Sequence, residues 1–180
     1  MIARLRRRRS RRPDTGASAV EFALLAPVLF LILFGIIDYG IWFADAISMR
    51  QAVRDAARQG SVENFGTSCS ATGTGADLHK LACSVASGAA PISGTVAVRA
   101  VIATDPQASS GAAWKAGYTL RVCALSQHTP LLPLVPFPAG GISETRVDIP
   151  IEQASSAGAA TRTGYAGDPP PSGADWSWCA

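Results

Sequence analysis

Two histidines and four cysteines are nearly all that this 180-residue chain offers to metal binding or nucleophilic chemistry. It has no HExxH or GxSxG motif, no glycine-rich phosphate loop, and no cluster of carboxylates at a useful spacing. His79 and His128 are far apart, and the cysteines lack the CxxC-type spacing of a zinc site. The sequence therefore predicts no enzyme, no metal centre and no cofactor. Internal repeats are missing too. One further absence is more telling. Residues 22–37 contain no ionisable side chain, and residues 17–37 contain only Glu21.

As a helix, residues 17–37 would rise about 31 Å, close to the hydrocarbon thickness of a bilayer. Pro27 would free the Ala23 carbonyl, a break that membrane helices tolerate. Before this run stand seven arginines, from Arg4 to Arg12. Such a flank does not suit the core helix of a soluble protein. Beside a membrane span it marks the cytoplasmic side and favours anionic headgroups, so the arginines are not read as a nucleic-acid arm. They also account for the basic balance of the chain: residues 17–180 carry nine basic and twelve acidic side chains. The predicted arrangement is a single-pass membrane protein, with a cytoplasmic leader at 1–16, a span at 17–37 and the rest extracytoplasmic.

An ordinary secretory signal fits poorly. The run is too long, and Ile41, Trp42 and Phe43 crowd the small-residue triplet Ala44-Asp45-Ala46. Paired arginines match a twin-arginine signal only loosely. The sequence Gly16-Ala17-Ser18-Ala19-Val20-Glu21-Phe22 instead resembles the class III leader of type IV pilins and their relatives. The wider stretch GASAVEFALLAPVLFLILFGIIDYG, with its amphipathic continuation, resembles the TadE/TadG-like pseudopilins of tight-adherence (Flp) pilus systems. The motif likeness covers about residues 15–60, and the chain length favours TadE.

This resemblance implies cleavage by a prepilin peptidase between Gly16 and Ala17. Glu21 and Phe22 would become the fifth and sixth residues of the mature chain. Glu21 would then be an assembly contact, pairing with the terminal amine of a neighbouring subunit. Near a helix N-terminus a carboxylate is also favoured by the macrodipole alone, needing no partner. The implied function is that of a non-catalytic minor pilin or pseudopilin in Flp pilus assembly or a related secretion machine. Its implied partners are the prepilin peptidase, other Tad pilus components and pseudopilins, and the lipid bilayer, with no nucleic acid. The alternative is a membrane-anchored extracytoplasmic binding domain with neither leader cleavage nor a filament role.

Helical spacing continues past the span. Trp42, Ala46, Met49, Val53, Ala56 and Ala57 form one stripe, while Arg54 and Arg58 form a basic edge. An amphipathic extension is predicted over 38–60, with Gly60 as its stop. Tyr39 and Trp42 suit an outer interfacial belt. A small extracytoplasmic α+β domain should follow over 61–153: a loop, a short helix at 76–89, and an antiparallel sheet of about three strands. The strands are placed at 95–103, 117–125 and 143–153, the last near an edge because of Pro150. The whole is a type IV pilin-like layout. Residues 129–141 read as a proline-rich excursion between strands, and residues 154–180 as a Gly/Ala/Pro-rich tail, extended or flexible.

Cysteines Cys69, Cys83, Cys123 and Cys179 all follow the span, on the side expected to be oxidising, so disulfides are predicted. Four cysteines allow three pairings. Cys69–Cys83 with Cys123–Cys179 is the favoured one. In it Trp176 and Trp178 would cap the core beside the second bridge.

Overall fold

The structure, a computed structural model, describes residues 15–66, 69–70, 72, 75–105, 113–133, 136–153 and 165–180. The arginine-rich leader up to residue 14 and the tail segment 154–164 lie outside the described residues.

Helix α1 runs without interruption over Thr15–Ser61, 47 residues, with Pro27 inside it. At about 1.5 Å per residue it is roughly 70 Å long. Apolar side chains dominate it, with alanine the commonest, and its buried residues begin only at Asp38, in its second half. There the stripe Ala46, Met49, Val53, Ala56 and Ala57 is buried under the domain. Trp42 is half-buried at its lower end. Gly60 does not stop the helix. It is buried inside the last turn, and a Cβ there would lie 2.6 Å from Leu120 Cδ2 and 3.1 Å from Leu81 Cδ2. Close helix–sheet approach is therefore what this glycine permits. The chain turns three residues later, where Glu63 adopts a left-handed conformation and its amide donates to the Gly60 carbonyl.

The short helix α2 spans Ala76–Ala89, with Asp77 in its first turn, favourable to the helix dipole, and Leu78, Leu81, Ala82 and Val85 buried. The sheet is antiparallel throughout and ordered β3-β2-β1-β4. Strand β1 is Thr95–Ala103, β2 is Thr119–Gln127, β3 is Ile142–Pro150 and β4 is Tyr165–Gly167. Three nine-residue strands thus match the expected sheet, and the tail adds a short fourth. Strand β2 begins and ends two residues later than its spacing suggested. Strand β3 is an edge and ends at Pro150, three residues short of its expected end; an edge tolerates the missing amide, and just beyond it the Ile151 amide still donates to the Tyr118 carbonyl.

One face of the sheet packs on both helices. Val98, Ala100, Ile102, Leu120, Val122, Ala124 and Ile151 meet Met49, Val53, Leu78, Leu81 and Val85. The other face is covered by the C-terminal strap. Ala97, Val101, Cys123 and Leu125 pack with Trp176 and Cys179. Residues 165–180 are therefore held against the sheet rather than left loose. The Asp168 amide donates to the Val98 carbonyl (2.9 Å), the Trp176 indole to the Asp168 carbonyl (3.1 Å), and Arg146 Nη1 to the Trp178 carbonyl (3.0 Å). Cys179 is bonded to Cys123, and Cys69 to Cys83, each pair with a Cα–Cα distance of 6.2 Å.

Candidate assembly helix and its junction with the domain

The first half of α1 is bare. All thirteen large apolar side chains between Val20 and Ile37 are exposed. Keeping that surface in water would cost on the order of 10–20 kcal/mol, given about 1.5–3 kcal/mol per fully buried large apolar side chain and only partial exposure here. Among the described residues, α1 is the one helix long and apolar enough to cross a membrane.

Gly16 and Ala17 stand in the first turn of this helix, and Glu21 and Phe22 about one turn further on, all exposed. Ala17 and Glu21 are four residues apart. They therefore share one helix face, about 6 Å apart along the axis. No cation among the described residues lies in ion-pair distance of Glu21. The predicted site residues thus fall into two separate groups. Gly16, Ala17, Glu21 and Phe22 line the start of the span, and the four cysteines staple the distant domain.

Sequence reasoning missed the junction between these halves. Asp38, the first charge after the apolar run, is fully buried. Its Oδ1 lies 2.9 Å from His128 Nε2, and the Leu131 amide donates to both its oxygens at 3.2 and 3.1 Å. The Leu132 amide reaches Oδ2 at 3.5 Å. A carboxylate can only accept, so His128 Nε2 carries the donated hydrogen. Asp38 lies just beyond the apolar run. Burial pushes its carboxyl upward, but the bonds from His128, Leu131 and Leu132 more than offset this and hold it below the ordinary value of 3.8. Phe137 completes the clamp, with its ring 4.8 Å from those of both Tyr39 and His128, and the Tyr39 hydroxyl donates to the Pro136 carbonyl.

One helical repeat higher, buried Asp45 makes a second clamp. It accepts from the Ile92 amide at 2.8 Å and the Ser93 amide at 3.1 Å, while Ser48 Oγ donates to the Ala89 carbonyl at 2.8 Å. These bonds satisfy the exit of α2 and aim the chain into β1. A usable signal did exist. Positions 38, 42, 45, 49, 53, 56 and 60 recur every three or four residues, so both aspartates stand in phase with the apolar stripe. An acid in phase with a buried stripe must find donors. His79, by contrast, is exposed on α2.

On the far face of the sheet, fully buried Arg121 donates from Nε to Asp148 at 3.1 Å, and Arg146 forks onto the same carboxylate. This pairing lets a charged side chain sit in a strand buried on both sides. Among the described residues no group of three His, Cys, Asp or Glu side chains could hold a metal ion.

No curated protein and no solved structure matches the chain. Residues 16–58, from the start of the apolar run to the last turn of α1, match the model of the TadE-like protein family, so over most of α1 this chain is similar to TadE-like proteins.

Proposed function

We propose that the chain is a non-catalytic minor pilin or pseudopilin of a Tad (Flp) pilus, or of a related secretion machine, working through α1. The observation that carries this reading is Glu21. It is an exposed carboxylate with no cation beside it among the described residues, near the N-terminal end of an otherwise bare apolar helix, inside the TadE-like segment. In lipid such a charge is costly unless it meets a cation. A free ammonium created on Ala17 by a prepilin peptidase would supply one on a neighbouring subunit. The arginines before the span support a cytoplasmic leader and an extracytoplasmic domain. Other Tad components and pseudopilins are the partners of such a helix, and the domain carries the surface that the assembly presents.

N-terminal sequencing of membrane-purified protein, with and without a co-expressed prepilin peptidase, tests the leader. The expected mature start is Ala17, lost on Gly16→Ala. An intact arginine leader would refute it and leave a plain membrane-anchored binding domain. Glu21→Ala should insert normally yet abolish piliation, whereas normal pili in that variant would remove the pairing role.

A further inference from the structure

The β2–β3 loop has a character the pilin reading does not use. Residues 129–143 contain no ionisable side chain and four prolines. In a loop open to water, such a stretch would be out of place. Leu131 is 58% exposed. Leu132 and Phe137 are half-buried, and Pro133 and Pro136 are exposed. The loop is also fixed in height. Asp38 holds the Leu131 amide, and Tyr39 holds the Pro136 carbonyl, within two residues of the last apolar residue, Ile37.

Pro136 walls an open apolar groove of about 550 Å³ whose other side runs up α1 from Leu31, Ile32, Gly35 and Ile36 to Tyr39, Gly40 and Phe43. The first four of these belong to the last two turns of the span. A run of 21 residues gives about 31 Å, with almost no length to spare over a core of about 30 Å. The lower half of the groove, beside Pro136, is therefore at hydrocarbon depth.

From this we propose that residues 129–133 and 136–137 form a second membrane contact, a shoulder seated in the leaflet on the domain's side. Phospholipid acyl chains fill the groove between the shoulder and the span. The Asp38–His128 clamp sets the depth of the shoulder, and two-point attachment fixes the tilt of the domain over the bilayer. This rests on residues 17–37 spanning the membrane and is independent of leader cleavage or pilus assembly.

The test uses the full chain in phosphatidylcholine vesicles, carrying either Leu131→Trp or Glu152→Trp. Leu131 is exposed, so the larger side chain meets no packing. Glu152 is exposed too, and its amide bonds to the Ser61 carbonyl, roughly 35 Å along α1 from Asp38. With brominated acyl chains, the emission added by Leu131→Trp should be largely lost, while that added by Glu152→Trp is unchanged. Equal emission at position 131 in brominated and ordinary lipid, in protein that resists alkaline extraction, would overturn the shoulder and leave the span standing. Protein released by alkaline extraction would overturn the span itself.

Discussion

Asp38→Ala should free the proline-rich loop without dismantling the rest of the domain. The carboxylate has two well-formed partners, His128 Nε2 at 2.9 Å and the Leu131 amide at 3.1 Å, and a marginal third in Leu132 at 3.5 Å. A hydrogen bond to a charged group contributes about 1.5–3 kcal/mol, and a buried donor stripped of its acceptor costs about 1–3 kcal/mol. The carboxylate's own desolvation offsets part of the gain. The net loss for Asp38→Ala is therefore about 3–5 kcal/mol, the range for breaking a buried pair by removing one member. Asp38→Asn keeps the shape and one acceptor oxygen but turns an amide donor toward the His128 ring. It should lose about 1–2 kcal/mol. Urea unfolding in micelles, followed by the emission of Trp42 close to Phe137, gives the difference. Hydrogen exchange at the Leu131 and Leu132 amides shows whether the loss is local. If both variants fall within about 0.5 kcal/mol of the parent, as surface substitutions do, the clamp does not stabilise the fold.

The same clamp sets a pH dependence. Because the folded Asp38 carboxyl is held below its ordinary value of 3.8, its stabilising contribution is complete above that value and is lost as pH falls through the lower folded one. Parent and Asp38→Asn should therefore differ at neutral pH and converge only below about pH 3.8 in urea titrations. Gly94 has φ +95° before β1, and a Cβ there would lie 1.8 Å from the Gln127 carbonyl oxygen. Gly94→Ala should cost several kcal/mol, on the order of 3 or more, and lower the melting temperature accordingly. Cys123 and Cys179 are 56 residues apart in sequence. Replacing both with serine removes about 4 kcal/mol by loop-closure entropy, and protease should then cut within the strap before the sheet.

The elements that could be read from the sequence were those with an exposed edge or a proline or glycine marking their ends. Helix α2 and strand β1 keep their expected limits, Ala76–Ala89 and Thr95–Ala103: α2 buries one face and is followed by Pro91, and β1, though buried on both faces, opens on exposed Thr95 straight after Gly94. Strand β2 was displaced because it is buried at every position but its last, with even Arg121 inside, so alternation carries little information about its ends. The strap was hard to see for a different reason. Trp176 and Cys179 acquire a packing role only once β2 brings Cys123 to meet them. Asp38 was legible as the end of the apolar run, but its partners His128 and Leu131 are 90 and 93 residues away. No local pattern encodes that pairing.

With residues 17–37 in the bilayer, as proposed above, an unbroken helix from the lipid to the sheet also makes α1 a lever. Its 23-residue rise from Asp38 to Ser61 is roughly 35 Å, so a tilt of about 20°, ordinary for a membrane helix, carries the far end of the domain sideways by about 12 Å. The weak point of the lever is Pro27, ten residues below Ile37. The missing backbone bond there puts any bending inside the bilayer, near its middle, and not at the membrane surface. Motion of the domain and motion of the upper half of the span are then one motion, and a force applied to either is delivered to the other.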